Sequence, residues 1–232
     1  MKLAALLSGG KDSMYAMYQL RKQGHEIVQI VSMLSENPES YMFHVPNVHL
    51  VAEQAKLLGL PVTFAGTKGE KELELEDLKN ALLRLKNEKG IEGVVTGAVA
   101  SRYQKQRIDK LCKEAGLESL APLWFQAPKE LLINMIKDGF EIMIVAVGAP
   151  PLDESWLGRI VDYKCVGELV ELNMQYGIHV TFEGGEAESF VLNCPMFSKR
   201  IIVEDSEKKW DQKTRSGVLL IKKIRFEDKS QL

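Results

Sequence analysis

The segment Ser8-Gly9-Gly10-Lys11-Asp12-Ser13 has the residue types of a phosphate-binding loop. It follows a short apolar run, Leu3 to Leu7, and leads into a helical pattern that starts near Ser13. Adjacent glycines allow a sharp turn close to a ligand, and the unpaired amides at a helix start attract anions. Lys11 adds a positive charge, both serines add hydroxyl donors, and Asp12 is able to cap the helix or help hold Mg²⁺. The alternative is an ordinary strand-to-helix turn.

Two common glycine-rich loops do not fit this segment. A Walker A loop has a glycine five residues before its Gly-Lys pair and a hydroxyl residue after it, whereas Ala5 and Asp12 occupy those places. The dinucleotide fingerprint G-x-G-x-x-G does not follow the strand either. We call residues 8–13 the phosphate loop.

Two segments of the first half carry further binding candidates. His44 and Asn47 belong to a polar and aromatic stretch before a helix that begins near Val48, for which the alternative is a capped helix start. The second segment begins with the small residues Gly97 and Ala98, which let a ligand approach closely. The segment continues through Tyr103 and includes three cationic side chains able to contact phosphate oxygens or a charged partner: Arg102, Lys105 and Arg107. The alternative is a solvated helix face.

The second half contributes two more candidates. Arg159 lies three residues from Trp156, an arrangement that also occurs as a stacked surface pair. Residues 183–189, here called the acidic loop, have the sequence E-G-G-E-A-E-S. The carboxylates of Glu183, Glu186 and Glu188 would create a negative pocket able to hold a cation or accept a proton from an amine. The alternative is an acidic turn.

Composition excludes several classes of protein. The 232 residues are 45% apolar and 27% charged, as in ordinary globular proteins. The net charge of -2 and a pI of about 6.2 argue against a nucleic-acid partner held by bulk positive charge. Three widely spaced cysteines indicate neither a disulfide framework nor a zinc site. No apolar run is long enough for a membrane span, so we expect a cytoplasmic protein.

Alternating strand and helix patterns predict an α/β domain with a parallel sheet over residues 1–125. Helical spacing of apolar residues fills the gaps between the second, third and fourth strands. Ligands of such sheets bind outside the carboxyl ends of the strands where the strand order reverses, which is where the phosphate loop is expected. The predicted strands are Leu3–Leu7, Glu26–Leu34, Pro61–Thr67, Gly93–Ala98 and Ser119–Leu123.

A smaller α+β domain is expected over residues 126–232. A helix around 128–137 and a strand at 141–147 precede the pair Pro150-Pro151, and the pattern then turns to strands. The later strands are predicted at Val180–Phe182, Phe190–Leu192, Arg200–Val203 and Val218–Phe226.

Together these motifs resemble the diphthine-ammonia ligase family of the N-type ATP pyrophosphatases, the PP-loop superfamily. The phosphate loop alone matches the superfamily, and the acidic loop points to this family. The chain departs from the family pattern at Ala187, where an aromatic residue is usual, and at Ser189, where threonine is usual. The other motifs in the resemblance are F-H-V-P-N at 43–47, G-A-V-A-S-R-Y-Q at 97–104, P-L-W at 122–124 and L-G-R at 157–159.

The resemblance implies a nucleotide-hydrolase-like (HUP, adenine nucleotide alpha hydrolase) domain and a reaction. That reaction is the ATP-dependent amidation of diphthine on elongation factor 2 to diphthamide, with ammonium as nitrogen source and release of AMP and pyrophosphate. ATP and Mg²⁺ are the implied cofactors. A tRNA base-modifying enzyme of the superfamily and a non-catalytic nucleotide-binding module are the alternatives, and a homo-oligomer is possible.

The implied site residues fall into three groups. ATP is expected at the phosphate loop, at Gly97 and Ala98, and at Ser32 and Met33, where the adenine would lie. Catalysis is expected from Lys11, Asp12, Glu186 and Glu188, with Asp12 also on Mg²⁺. Substrate contacts are expected from His44, Asn47, Arg102, Tyr103, Trp124, Arg159 and Glu183, with Phe125 and Trp156 as further walls for the trimethylammonium group of diphthine.

Overall fold

A computed structural model describes residues 1–35, 46–67 and 71–229 of the chain. His44, predicted to contact substrate, lies outside these residues. The chain divides into two compact units, Met1–Trp124 and Phe125–Leu232. None of the helices within the described residues is long and apolar enough to cross a membrane.

The first unit is a five-stranded parallel sheet flanked by helices, so the predicted α/β architecture is confirmed. The strands carry nearly continuous apolar runs, and Ala4, Ile30 and Val94 are fully buried, as expected for strands covered on both faces. The elements are β1 Lys2–Leu6, α1 Lys11–Lys22, β2 Glu26–Ser35, α2 Val51–Leu58 after a 3₁₀ turn Val48–Leu50, β3 Val62–Thr67, α3 Lys71–Lys89, β4 Gly93–Val95, α4 Arg102–Ala115 and β5 Glu118–Leu120.

The strand order β3-β2-β1-β4-β5 reverses between β1 and β4. Strands β2 and β4 pair with opposite sides of β1. The connection from β1 to β2 and the connection from β4 to β5 therefore run in opposite directions, over opposite faces of the sheet. A crevice forms outside the carboxyl ends of two such strands. The phosphate loop follows β1, and residues 96–101 follow β4, so both predicted ATP-binding segments border this crevice.

The described residues of the second unit form a four-stranded antiparallel sheet in the order β7-β6-β9-β8, two α-helices and a 3₁₀ turn, Glu154–Trp156. Residues Ile142, Ile144 and Val145 of its central strand β6 are fully buried. The elements are α5 Pro128–Lys137, β6 Glu141–Val147, α6 Tyr163–Tyr176, β7 Ala187–Asn193, β8 Arg200–Asp211 and β9 Ser216–Glu227.

Several predicted strand bounds were wrong. Val180–Phe182 forms turns, because the amide of Phe182 donates to the carbonyl of His179 at 2.8 Å and closes the chain on itself. The predicted strand Gly93–Ala98 ends at Val95, which leaves Gly97 and Ala98 in the following loop. The strand Ser119–Leu123 is Glu118–Leu120 instead. Strand β8 is much longer than predicted because the largely charged segment 204–211 extends it beyond its apolar part, and β9 begins two residues earlier and ends one residue later than predicted.

Candidate functional site

The phosphate loop turns the chain from β1 into α1 within four residues. Gly9 has φ 88°, in the left-handed region that glycine adopts without strain. Gly10 is the N-cap of α1, which begins at Lys11. The segment therefore ends at a helix N-terminus, whose amides and partial positive charge favour a bound anion.

The two serine hydroxyls tie this loop together. The amide of Ser8 donates to Ser13 Oγ at 3.3 Å, and the amide of Gly10 donates to Ser8 Oγ at 3.3 Å. The hydroxyls lie 3.2 Å apart, and Ser13 Oγ also donates to the carbonyl of Gly10 at 3.2 Å. These distances are at the long end for hydrogen bonds, and the acceptors are neutral. A charged phosphate oxygen would accept from such amides more strongly.

Lys11 and Asp12 form an ion pair at the start of α1. The Nζ of Lys11 lies 2.7 Å from Asp12 Oδ2, and the Lys11 side chain is only 3% exposed. Asp12 in the first helical turn also offsets the helix dipole. The phosphate loop thus carries a buried lysine whose ammonium group is paired with the carboxylate of the next residue.

The loop after β4 packs directly against the phosphate loop. A methyl group on Gly97 would overlap the backbone nitrogen of Ser13 and come within 2.6 Å of the carbonyl carbon of Asp12. Ala98 is 9% exposed. The absence of a side chain at Gly97 therefore lets two backbone segments meet at the crevice.

A buried polar residue that sequence analysis missed also contacts this loop. Gln54 on α2 is fully buried, and its Nε2 donates to the carbonyl oxygen of Gly9 at 3.1 Å. The available signal was a glutamine at a position that the helical spacing of Val51, Ala55 and Leu58 assigns to the apolar face.

Ser32 and Met33, predicted to contact adenine, lie on β2 directly beside β1. They are 1% and 6% exposed and pair with Phe64 and Ala65 of β3. The Ser32 hydroxyl is buried and has no hydrogen-bond partner in the described part of the chain. Asn47, just before the 3₁₀ turn, is 5% exposed and has φ 63°, and its backbone carbonyl accepts a hydrogen bond from the amide of Leu50 at 2.8 Å.

Two of the three predicted basic side chains on α4 interact with other residues of the chain. Lys105 pairs with Asp109 and lies 5.5 Å from the ring centre of Trp124, and Arg107 lies 3.9 Å from that of Tyr103. Arg102, in the first turn of the helix, is exposed. Ser101 caps the helix by accepting from the amide of Gln104 at 3.4 Å.

The acidic loop of the second unit is closed by one of its own carboxylates. Glu186 is 8% exposed; its Oε1 accepts from the amide of His179 at 2.6 Å and its Oε2 from the amide of Gly184 at 2.9 Å. Behind the loop, a methyl group on Gly148 would overlap the carbonyl oxygen of Gly185. Glu183 and Glu188 are partly buried, and Glu188 lies on β7 opposite Ala146.

Arg159 is engaged twice within the second unit. Its guanidinium lies 4.4 Å from the ring centre of Trp156, and its Nη1 donates to Glu168 Oε2 at 2.6 Å. This hydrogen bond raises the pKa of Arg159 and lowers the pKa of Glu168. The stacked pair that sequence analysis left open as an alternative is therefore present.

The metal-binding capacity of the described residues is limited. No group of three or more histidine, cysteine, aspartate or glutamate side chains suited to a metal ion occurs among them. The Asp12 carboxylate in the first turn of α1 would supply one hard oxygen ligand at the phosphate loop. Mg²⁺ is commonly held by one or two carboxylates together with substrate phosphates, and a single carboxylate at a phosphate site fits that arrangement.

The chain is similar to known proteins along most of its length. The family model described as diphthamide synthase N-terminal domain matches residues 1–119, and the diphthamide synthase C-terminal domain model matches residues 127–226. The diphthine–ammonia ligase of Homo sapiens is 38% identical over 227 residues, covering 89% of this chain and 84% of that protein. The diphthine–ammonia ligase of Danio rerio is 32% identical over 257 residues, covering 100% and 99%.

Two weaker similarities accompany these. The tRNA-specific 2-thiouridylase MnmA of Helicobacter pylori is 40% identical over 62 residues, or 27% of this chain and 17% of that protein. A solved structure of a predicted subunit of tRNA methyltransferase from Methanocaldococcus jannaschii is 16% identical with a TM-score of 0.44, over 84% and 98% of the two chains, too low to bear on function. Because the two domain models follow one another along the sequence and the relatives match across both, the chain belongs to the diphthamide synthase family.

Proposed function

We propose that this protein uses ATP and ammonium to amidate diphthine on elongation factor 2 to diphthamide, through an acyl-adenylate, and releases AMP and pyrophosphate. The relatives named diphthine–ammonia ligase support the amidation. The observation that carries the use of ATP is the phosphate loop, a helix N-terminus with a buried lysine at the reversal of strand order. We assign ATP to residues 1–125 and the acceptor to residues 126–232, and place the reaction in the cytoplasm.

Adenylation gives the substrate carboxylate a leaving group that ammonia is able to displace. The carboxylate attacks the α-phosphorus of ATP, and the bond to the pyrophosphate oxygen breaks. The loop amides and Lys11 stabilise the charge that grows on the departing pyrophosphate. For this, the Lys11 ammonium contacts phosphate as well as Asp12, since an ammonium has three N–H donors.

Asp12 would hold Mg²⁺ at this site, where the ion would neutralise charge on the ATP phosphates. In the structure Asp12 also accepts from Lys11, so the carboxylate and the ammonium are held next to each other. Adenine would lie against Ser32 and Met33, where the buried Ser32 hydroxyl offers a hydrogen bond.

In the second step ammonia attacks the carbonyl carbon of the acyl-adenylate and AMP leaves. Ammonium must first lose a proton, and a carboxylate of the acidic loop would attract the cation and accept that proton. Both oxygens of Glu186 already accept from backbone amides. We therefore assign to Glu186 the holding of the loop, keep Glu186 and Glu188 as the two candidates for the proton transfer, and assign Glu183 as a further substrate contact.

The trimethylammonium group of diphthine would be bound by aromatic side chains. One face of each of three candidate rings is already close to a cation of the chain: Trp124 to Lys105, Tyr103 to Arg107, and Trp156 to Arg159. Phe125 is 66% exposed, so we place it first among the rings for this role. Asn47, Arg102 and Arg159 remain proposed substrate contacts.

The test is mass spectrometry of the modified histidine of elongation factor 2 after incubation with this protein, ATP and ammonium. The proposal predicts conversion of the carboxylate to the amide, together with one AMP and one pyrophosphate per amide formed. Conversion with ADP as product would refute the adenylate, and no conversion in the complete mixture would refute the function.

A tRNA base-modifying activity is the second candidate, favoured by the short similarity to a tRNA thiouridylase. That match covers 27% of the chain, a length that fits a shared ATP-binding segment better than a shared acceptor. Pyrophosphate release stimulated by tRNA, but not by elongation factor 2 carrying diphthine, would favour this alternative.

A further inference from the structure

Gln54 is a buried polar side chain on an otherwise apolar helix face. It is 0% exposed, and Val51, Ala55 and Leu58 share the buried side of α2 with it. Burying an amide costs free energy unless the amide is hydrogen-bonded. Its Nε2 donates to the carbonyl oxygen of Gly9 at 3.1 Å, 45 residues earlier in the chain. The polar group on this face is therefore directed at the phosphate loop.

This hydrogen bond sets the direction of one peptide group. A peptide is planar and trans, so the carbonyl of Gly9 and the N–H of Gly10 point in opposite directions. Gly9 has φ 88° and no side chain, so the backbone itself restrains this plane weakly. With the carbonyl held toward α2, the N–H of Gly10 points away from α2. There it makes a 3.3 Å contact with Ser8 Oγ, a neutral acceptor that a phosphate oxygen is able to replace.

We propose that Gln54 is a positioning residue of the phosphate loop, which holds the Gly9 carbonyl so that the N–H of Gly10 donates to the phosphate chain of ATP. The inference rests on the proposed function, because the direction of this amide matters when a nucleotide binds at the loop. Gln54 acts through the backbone and not on the nucleotide itself.

Two substitutions separate this role from simple core packing. Gln54→Met keeps the length of the side chain and removes the donor. Gln54→Glu keeps its shape but presents an acceptor to the Gly9 carbonyl while ionised and a donor when protonated. Gln29→Met is the matched control. Gln29 is 2% exposed, and its Nε2 bonds to the carbonyl of Ile30 and to Thr63 Oγ1, both at 3.1 Å, within β2 and β3.

The measurement is AMP formation by the full chain at varied ATP and pH, at a temperature where all variants are folded. We expect Gln54→Met to lower kcat/KM for ATP about 10- to 100-fold. This effect lies between that of losing an ordinary hydrogen bond and that of losing a donor to an oxyanion. KM for ammonium stays as in the wild type. Relative to wild type, Gln54→Glu recovers activity as the pH falls from about 8 to about 6, because burial raises the pKa of a carboxyl and its protonated form donates. Gln54→Met shows no such recovery.

Gln29→Met is expected to lose thermal stability while keeping the wild-type kcat/KM for ATP. If both methionine variants lost stability and ATP parameters alike, or if Gln54→Met kept its ATP parameters, the positioning role would be overturned. Calorimetry of the wild type with Mg-ATP, without protein substrate, keeps the two proposals apart. If the wild type does not bind Mg-ATP, the proposed function is contradicted. If the wild type binds Mg-ATP and the Gln54→Met variant binds it equally well, only this inference is contradicted.

Discussion

The phosphate loop and the acidic loop are both turns with two adjacent glycines, yet they satisfy their backbone amides in opposite ways. In the phosphate loop, Ser8 and Gly10 donate to neutral hydroxyls at 3.3 Å. In the acidic loop, His179 and Gly184 donate to the carboxylate of Glu186 at 2.6 and 2.9 Å. Charged acceptors form the stronger hydrogen bonds. The first loop is thus ready for an external anion, and the second already contains its own.

Each loop is also backed by a glycine from the end of a neighbouring strand. Gly97 follows β4 and meets the backbone of Asp12 and Ser13, while Gly148 follows β6 and meets the carbonyl of Gly185. Gly148 also donates its amide to the carbonyl of Glu186 at 2.8 Å. In both loops, then, a glycine packs against the loop backbone, but the two loops differ in charge. We therefore expect the same substitution at the two glycines to affect different steps, adenylation for one loop and amide formation for the other.

Removing the cation of the phosphate loop should have the largest effect. Lys11→Ala takes away the buried ammonium that is proposed to stabilise the departing pyrophosphate, and losses of this kind reduce rates about 10² to 10³-fold. Asp12→Ala removes its partner and the proposed Mg²⁺ ligand, and should lower AMP formation by a similar factor. The measurement is AMP release with an unchanged circular dichroism spectrum; wild-type turnover in either variant would contradict the assignment of the loop.

The backing glycines come next and test the comparison directly. Gly97→Ala should impair adenylation and Gly148→Ala should impair amide formation, because each added methyl group pushes on the backbone of one loop. Overpacking of this kind typically costs about 1–3 kcal/mol. AMP formation and conversion of a preformed acyl-adenylate are measured separately for each variant.

Gly167→Ala on α6 is the control for both glycine variants, since a methyl group there has no described atom within 4 Å. It should leave both half-reactions intact and stabilise the helix by about 0.5–1 kcal/mol. Should Gly97→Ala and Gly148→Ala slow the same half-reaction, the division of labour between the loops would be wrong.

The parts of the molecule that the sequence predicted are those set by local pattern. The apolar run and the adjacent glycines were sufficient to predict β1 and the strand-to-helix turn after it, and the alternation of strand and helix patterns predicted the parallel sheet. The turn at Val180–Phe182 was mistaken for a strand because its side chains are as buried as those of a strand. The glutamine on the apolar face of α2 marks Gln54 as unusual but does not identify its partner, so its contact with Gly9 was not predicted. The closure of the acidic loop by Glu186 was not predicted either, because the sequence does not show which backbone amides a carboxylate accepts from.

A smaller effect should follow from Glu186→Gln, which distinguishes two roles for this carboxylate. An amide group offers one acceptor and one donor, so it leaves the amide of either His179 or Gly184 facing another donor. Such a buried unsatisfied group costs about 1–3 kcal/mol. We expect a lower midpoint of urea unfolding together with a lower yield of amide, at normal adenylation. Full stability with no amide would instead make Glu186 the proton acceptor.

The smallest expected effect is on the reactivity of the buried thiols, which shows whether a loop substitution disturbs only its own unit. Burial raises the pKa of Cys112 in the first unit and of Cys165 in the second to about 11, from 9.0. Both thiols are fully buried, so the native protein should react very slowly with a disulfide reagent at about pH 8.

The same shift gives the pH dependence of stability its sign. The unfolded thiols ionise near pH 9 and the folded ones near 11, so the free energy of unfolding should fall as the pH rises through this interval.

Peptide mapping after labelling with the disulfide reagent shows which thiol, and therefore which unit, has reacted. Gly97→Ala should leave Cys165 as protected as in the wild type, and Gly148→Ala should leave Cys112 so. Exposure of both thiols by either substitution would show that the loops are not independent, and the comparison between them would fail.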